Sequence, residues 1–202
     1  MPDDVSNLAS PRDATEVAEQ LVLRLEGERC DYAVGGAIAL GYWAVPRGTL
    51  DVDVTLYLPL DRPLDCIDLL QRIGGRFEPD KVRTTLDEHG FCQIEFLGMR
   101  LDVFLPLVDF YATAKARRRE VPLGRRTAWI WDAETLCIFK LLFYRDKDRA
   151  DLRSILIAQP NLDRSWVLET LTEICGQRDP RIGTWQELCA EIPGEPQSTG
   201  PP

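Results

Sequence analysis

The chain has 202 residues, 45 % of them hydrophobic, so it is long enough to bury a core as one domain or as one domain with a small appendage. Its 24 lysines and arginines against 33 aspartates and glutamates give a net charge of -9, which excludes a general attraction to nucleic acid or to an anionic membrane. A nucleic-acid contact would need a local basic patch.

The cysteines and the single histidine narrow the possible chemistry. The six cysteines are scattered without a C-x-x-C pair, which predicts buried reduced thiols and a cytoplasmic location. No apolar run approaches the ~18 residues that span a bilayer, so we predict no membrane partner. His89 lies in Asp87-Glu88-His89-Gly90, which resembles a turn, and one histidine leaves no room for a multi-histidine metal site.

The hydrophobic pattern predicts alternating helices and strands in the first half of the chain. Residues 1–12 are predicted to be a flexible N-terminus. We then predict a helix over 14–25, a strand over 32–34 that ends at Gly35-Gly36, and a second helix over 37–43. An acidic strand over 50–58 and a third helix over 64–73 follow. Two strands over 91–97 and 100–105 form a predicted hairpin. Gly98-Met99 is the predicted hairpin link.

The second half of the sequence is predicted to be mainly helical. A basic run with two tryptophans occupies residues 107–131, and helices are predicted over 133–144, 147–157 and 164–175. We therefore predict an α/β (α+β) fold with a mixed β-sheet flanked by helices. The predicted organisation is a core over 13–130, a helical C-terminal part packed on it over 131–192, and a disordered tail over 193–202.

The strand over residues 50–58 carries the most informative polar residues. Valines and a leucine alternate with Asp51, Asp53 and Thr55, so the two carboxylates share one face. Residues two apart in a strand are about 6 to 7 Å apart, and Mg²⁺ prefers carboxylate oxygens, so such a pair can grip one or two ions. Asp102, on a later strand, is the predicted third ligand, and Glu95 is the weaker candidate.

Neither the acidic pair nor the Gly-Gly turn is specific when taken alone. In an acidic chain an Asp-x-Asp pair is more often a solvated strand face than a metal site. Gly35-Gly36 is more often a tight turn than a phosphate contact, although backbone amides at a helix N-terminus do favour phosphate. The position of this turn one helix before the acidic strand favours the phosphate interpretation.

Several motifs in order resemble one known family. Gly35-Gly36-Ala37 followed by Arg47-Gly48-Thr49-Leu50-Asp51-Val52-Asp53 resembles the GG-x(n)-R-x-T-x-D-x-D signature of minimal nucleotidyltransferases in the DNA polymerase β superfamily. Lys140, and Arg145 to Leu152 after it, resemble the family's helical K…R-x-K-D-x-x-D element. The similarity covers about residues 31 to 157 and is greatest to the AbiEii-type toxins.

The resemblance implies a role for each matching position. Asp51 and Asp53 would hold metal, and Asp102 would be the third carboxylate and help to deprotonate the acceptor hydroxyl. Lys140 would be a catalytic cation. Nucleotide contacts would come from the two glycines, from the two cations and from two further motif positions: Gly35, Gly36, Arg47, Thr49, Lys140 and Asp148. The role of Asp151 is left open.

Local chemistry offers simpler interpretations for some of these residues. Lys140 on an apolar helix could extend its ammonium to solvent. Arg47 could be an exposed arginine or an ion-pair partner of Asp51. Asp148 and Asp151, three apart on one helical face and close to Lys147 and Arg149, favour a structural ion-pair network.

The predicted activity is Mg²⁺-dependent transfer of a nucleoside monophosphate from a nucleoside triphosphate, such as ATP, to a hydroxyl, with Mn²⁺ as an alternative ion. The acceptor would be an RNA or tRNA end or a protein, and the resemblance adds a toxin role with an antitoxin partner. One alternative is a catalytically silent fold used for binding or regulation. Another is a small-molecule transferase acting on an aminoglycoside-type acceptor.

Overall fold

The structure of the chain is a computed structural model that describes residues 13–194. The predicted flexible N-terminus, residues 1–12, lies outside the described residues, as does the predicted tail apart from residues 193 and 194. Helices and strands, numbered in chain order, have these bounds: α1 Ala14–Gly27, β1 Tyr32–Val34, α2 Gly36–Trp43, β2 Asp51–Leu56, α3 Pro63–Arg72, α4 Pro79–His89, β3 Phe91–Phe96, β4 Met99–Phe104, α5 Phe110–Arg117, β5 Arg119–Leu123, β6 Arg126–Ile130, α6 Ala133–Phe143, α7 Asp146–Ala158, α8 Arg164–Cys175 and α9 Pro180–Glu191.

The strands form one mixed sheet in the order β3-β4-β2-β1-β6-β5. Strand β2 runs parallel to β4, β1 runs parallel to β6, and β3 is antiparallel to β4. The predicted hairpin is confirmed. Its turn is at Leu97-Gly98, one residue earlier than predicted. Both residues have positive φ, as the two central residues of a type I′ turn require. The predicted mixed α/β fold is confirmed.

The chain divides into two compact units, each with its own core. The first unit contains the described residues up to Tyr32, Thr49–Leu107 and Val121–Ala128. Helix α1 packs against β2, α4 packs against β3, and α3 packs against α4. The core of this unit consists of apolar side chains that are nearly or fully inaccessible: Leu21, Leu25, Val52, Val54, Leu56, Leu70, Ile73, Phe96, Leu101 and Val103.

The second unit contains Ala33–Gly48, Val108–Glu120 and the described residues from Trp129 onward. Helix α6 is its centre and packs against α2, α7 and α8. An aromatic cluster surrounds Phe139, whose ring centroid lies 5.5 Å from that of Phe110, 5.1 Å from that of Tyr111 and 5.1 Å from that of Trp131. Burial of large aromatic rings in this geometry fixes the position of α6 within the unit.

The predicted turn at His89 is wrong, because His89 is the last residue of helix α4. Only Val82 and Leu86 of this helix are buried, so its apolar stripe is too narrow to recognise in the sequence. Gly90 ends the helix in the left-handed conformation with φ 59°. The sequence analysis also did not resolve helix α5 or the β5–β6 hairpin within the basic run.

The cysteines partly match their predicted environment. All six are free, with Cys66, Cys92 and Cys137 buried and the other three intermediate in exposure. Burial raises the pKa of the Cys92 thiol to about 12, with the Asp102 carboxylate adding to the effect, so this thiol stays protonated and unreactive near neutral pH. Within residues 13–194 no helix combines the length and the apolar character needed to cross a bilayer.

Candidate functional site

The alternation of β2 places its two carboxylates on the face opposite its buried valines. Val52 and Val54 are in the core, whereas Asp51 and Asp53 are only partly buried. Successive strand residues point to opposite faces, so burying the valines forces both aspartates outward on the same side. This strand begins at Asp51 and ends at Leu56, inside the predicted range of 50–58.

The parallel pairing of β2 with β4 brings the third predicted carboxylate beside this pair. Asp53 is the register partner of Asp102, and Asp51 is the register partner of Arg100. Partners on neighbouring strands are about 4.8 Å apart and project from the same face. The structure thus gathers Asp51, Asp53 and Asp102, which we call the carboxylate cluster, on one face of two adjacent strands.

Neutral and cationic donors hold two members of the carboxylate cluster. The Thr49 hydroxyl donates to Asp51 Oδ1, and the Gln93 amide donates to Asp102 Oδ1 at 3.1 Å. Arg100 Nη2 donates to Asp51 Oδ2, and Arg100 Nε lies 3.1 Å from Asp102 Oδ1. Arg100 thereby bridges two of the three carboxylates.

Negative charge surrounds Arg100 at the carboxylate cluster. The Asp102 carboxylate raises the pKa of Arg100 most, burial opposes it with the next largest effect, and Asp51 and Asp53 raise the pKa further. Three carboxylates therefore lie within electrostatic reach of this guanidinium. The side chains of Asp51 and Asp102 are 13 % and 11 % exposed, so water screens their charge only in part.

The carboxylate cluster fits a divalent cation in its chemistry but is not preassembled around one. Within residues 13–194 no group of three or more histidine, cysteine, aspartate or glutamate side chains is arranged to hold a metal ion. Asp51 and Asp102 turn their oxygens to Arg100 instead. Hard carboxylate oxygens on adjacent strands are nevertheless the donors that Mg²⁺ and Mn²⁺ prefer.

Glu95, the weaker candidate ligand, is engaged elsewhere. It is the cross-strand partner of Arg100 on β3, yet its carboxylate lies 3.3 Å from the guanidinium of Arg76. The backbones of Arg76 and Glu95 also exchange two hydrogen bonds, of 2.8 and 3.0 Å. This local pairing holds Glu95 at the edge of the sheet.

Gly35 and Gly36 join β1 to α2, as predicted. Gly36 has φ 55°, a left-handed conformation that costs glycine little, and Gly35 is an N-cap without a side-chain hydrogen bond to the helix. An N-terminus capped in this way leaves amide donors for another acceptor, which is the property that the predicted phosphate contact requires. Contact with a nucleotide remains a prediction for both glycines.

The predicted cations of the second unit belong to a buried ionic network, which we define as Arg47, Lys140, Arg145, Asp148 and Asp151. Lys140 Nζ lies 2.6 Å from Asp151 Oδ2 and 3.8 Å from Asp148 Oδ1. These three side chains are at most 5 % exposed. Burying such charges is tolerated only because they neutralise one another.

Two arginines complete the buried ionic network. Arg47 makes a bidentate pair with Asp151 at 2.9 and 2.8 Å, and the expected pair of Arg47 with Asp51 stays a prediction. Arg145 Nε lies 2.7 Å from Asp148 Oδ2, and the Arg145 backbone N–H donates to the same oxygen at 3.1 Å, which caps helix α7. The predicted ion-pair network is confirmed, with partners other than Lys147 and Arg149.

The charge pairing also sets the protonation of Asp151. Burial alone would raise the pKa of this carboxyl, but hydrogen bonds and charge from Arg47 and Lys140 outweigh it and the pKa falls below 3.8. Asp151 is therefore ionised near neutral pH. Lys140 does not extend to solvent, and its role as a catalytic or nucleotide-binding cation remains a prediction.

The basic run of residues 107–131 does not form a uniform cationic surface. Arg117 lies 2.8 Å from Asp132 and stacks on Trp166 at 3.9 Å, and Arg118 stacks on Trp129 at 4.7 Å. Arg126 lies 3.4 Å from Glu26. Carboxylates and aromatic rings therefore engage much of the positive charge that a nucleic acid would require.

Comparison with known proteins identifies the fold. No family model and no curated protein sequence matches the chain. The solution structure of the antibiotic-resistance factor ANT(2'')-Ia is similar to it with a TM-score of 0.55 at 14 % identity, over 86 % of this chain and 96 % of that one. ANT(2'')-Ia in complex with adenylyl-2''-tobramycin gives 0.54 at 17 % identity, over 79 % and 95 %.

A third structure agrees with these two. An antigenic nucleotidyltransferase-like protein from Paracoccidioides brasiliensis gives a TM-score of 0.50 at 18 % identity, over 91 % of this chain and 99 % of that one. The chain has the nucleotidyltransferase fold. At these identities the likeness extends to the fold and not to a substrate.

Two residues of the candidate site were not predicted from the sequence. Arg100 and Gln93 contact the carboxylate cluster directly, although neither was a candidate. Both are strand residues that share a face with Asp102, one two positions before it and one across the hairpin. The alternation of β4 and the register of the hairpin are the signals that could have revealed them.

Proposed function

We propose that the protein is a nucleotidyltransferase that moves a nucleoside monophosphate from a nucleoside triphosphate to a hydroxyl acceptor. The observation that carries this proposal is the carboxylate cluster, in which strand pairing places Asp102 beside Asp53 and two residues of β2 share a face. The nucleotidyltransferase fold supports it, as does the negative charge of the three carboxylates around Arg100. Phosphoryl chemistry needs such a site because the triphosphate is itself highly charged.

Asp51 and Asp53 would hold Mg²⁺ or Mn²⁺, and Asp102 would complete the set. When bound, the metal supplies positive charge that offsets the charge of the triphosphate. The Thr49 hydroxyl orients the Asp51 carboxylate, and the Gln93 amide orients that of Asp102. These two contacts reduce the freedom of the carboxylates, which favours a single productive geometry.

The proposed reaction is a single displacement at the α-phosphorus. The acceptor oxygen forms a bond to the α-phosphorus, the bond from that phosphorus to the bridging oxygen breaks, and pyrophosphate leaves. The acceptor proton passes to Asp102 as general base. For Gly35, Gly36, Arg47, Lys140 and Asp148, nucleotide contact is the part of the proposal that rests on the family resemblance.

The acceptor is proposed only as a hydroxyl. An RNA or tRNA end, a protein and a small molecule all present the same attacking group, and adenylyl-2''-tobramycin bound to ANT(2'')-Ia is an example of an adenylyl group joined to an acceptor. A toxin role with an antitoxin partner follows from the resemblance to AbiEii-type proteins. The engaged arginines of the basic run give the RNA acceptor no special support.

The test is transfer of label from α-labelled ATP, CTP, GTP or UTP in cell extract with Mg²⁺. We expect the wild-type protein to label one class of acceptor, and Asp53→Ala to label none while keeping its melting temperature within a few degrees. Asp68→Asn, which removes an exposed carboxylate of α3, is the matched control and should label normally. Undiminished labelling by Asp53→Ala would refute the proposal.

A further inference from the structure

Arg100 is oriented away from the partner that its strand position offers. Glu95 is directly opposite Arg100 across the hairpin, and oppositely charged cross-strand pairs are favourable. The Glu95 carboxylate instead pairs with Arg76 at 3.3 Å, and the Arg100 guanidinium reaches across to β2 and along β4. Arg100 therefore follows the stronger negative charge of the carboxylate cluster.

Arg100 contacts oxygen atoms that a bound metal would need. It donates to Asp51 Oδ2 and lies 3.1 Å from Asp102 Oδ1, while the other Asp51 oxygen accepts from Thr49. A carboxylate oxygen has two lone pairs, but a guanidinium and an ion about 2.1 Å away that share one carboxylate repel each other, so each weakens the binding of the other. Metal and Arg100 are thus competitors for Asp51 and Asp102.

Arg100 can leave without disturbing the core. Its side chain is 50 % exposed, and it lines a cleft of about 660 Å³ whose other charged residues are Arg76, Glu78, Lys81 and Glu95. Two cations and two carboxylates offset one another there, and a flexible arginine side chain needs only rotamer changes to turn toward the cleft and its solvent. The displaced guanidinium therefore has an accessible alternative position that buries no charge.

We propose that Arg100 is a built-in counter-ion that holds the carboxylate cluster together in the metal-free protein and is displaced when a divalent metal binds. The inference rests on the proposed function, because it assumes that the carboxylate cluster is a metal site. Arg100 then lowers the metal affinity of the resting protein. Its positive charge also reduces the repulsion among the three carboxylates, which strand pairing holds on one face.

The experiment compares Mn²⁺ binding to the wild-type protein, Arg100→Gln and Arg83→Gln, followed by loss of the free Mn²⁺ electron paramagnetic resonance signal. Both variants remove one positive charge, but Arg83 is an exposed residue of α4 that pairs with Asp87, whereas Arg100 contacts the carboxylate cluster. We expect Arg100→Gln to bind Mn²⁺ roughly fivefold to tenfold more tightly, because two partly exposed ion pairs no longer compete. Arg83→Gln should match the wild type.

Thermal melting after treatment with a chelator gives a second measurement. Arg100→Gln should melt below Arg83→Gln without metal, and added Mn²⁺ should raise its melting temperature more than that of the wild type. An arginine with a purely structural role would lower stability without tightening metal binding. Equal or weaker Mn²⁺ binding by Arg100→Gln, with clear binding by the wild type, would overturn this inference and leave the proposed function standing. Absence of Mn²⁺ binding in all three proteins would overturn both.

Discussion

The carboxylate cluster and the buried ionic network are two charged assemblies built on opposite principles. In the network, three cationic side chains surround two carboxylates that are at most 5 % exposed, so every buried negative charge has cationic partners. In the cluster, three carboxylates face one arginine that is 50 % exposed. We expect the buried ionic network to hold helices together and the more exposed carboxylate cluster to bind a cation.

The largest expected effect is a loss of protein stability when the buried ionic network loses its lysine. Lys140→Met leaves Asp148 and Asp151 buried with less compensating charge, and we expect the free energy of unfolding to fall by about 3 kcal/mol or more. Lys147→Met, an exposed lysine on the same helix as the two aspartates, should change it by less than about 0.5 kcal/mol. Chemical denaturation measures both. Equal effects would show that the network does not depend on its buried lysine.

The carboxylate cluster should respond in activity rather than in stability. We expect Asp102→Asn to reduce the turnover of label transfer by about a hundredfold to a thousandfold, because an amide cannot accept the acceptor proton. Its melting temperature should change little, because asparagine has nearly the same size and its amide oxygen can still accept the hydrogen bond from Gln93. Glu95→Gln, at the edge of the same sheet, is the control. Normal turnover in Asp102→Asn would remove this residue from the chemistry.

A smaller effect is confined to acid and concerns Asp151. The pKa of Asp151 in the folded protein is lowered below 3.8. Its ion pairs therefore stabilise the protein fully at pH values well above 3.8, and this stabilisation is lost as the pH falls through the folded pKa. The difference in free energy of unfolding between the wild type and Asp151→Asn should therefore be constant from pH 7 to about pH 4 and shrink below it. Glu169→Gln, an exposed residue of α8, should show no such change. A difference that widens in acid would contradict the assigned direction.

Much of the site could be predicted because it depends on strand periodicity. The alternation of β2 places Asp51 and Asp53 on one face, and the link near Gly98 predicts the hairpin that carries Asp102. Arg100 could not be assigned in this way. Its orientation depends on whether Glu95 or the aspartates attract it more, and that balance is set by the position of Arg76, which is distant in sequence.

The elements that could not be predicted have weak or mixed patterns. Helix α4 buries only Val82 and Leu86, and the basic run covers both α5 and the β5–β6 hairpin, where charged residues obscure the apolar period. Conversely, Asp148 and Asp151 were recognised as ion-pairing residues from their helical spacing. Their partners Arg47 and Lys140 come from other segments, and only the tertiary structure reveals them.

Calorimetry can show whether the carboxylate cluster binds a nucleoside triphosphate through a divalent metal. ATP, CTP, GTP and UTP would each be titrated into the wild-type protein and Asp53→Ala, with Mg²⁺ or with a chelator. We expect the wild type to bind at least one nucleotide in a way that requires Mg²⁺, and Asp53→Ala not to bind it. Nucleotide binding that persists unchanged in the chelator or in Asp53→Ala would contradict it.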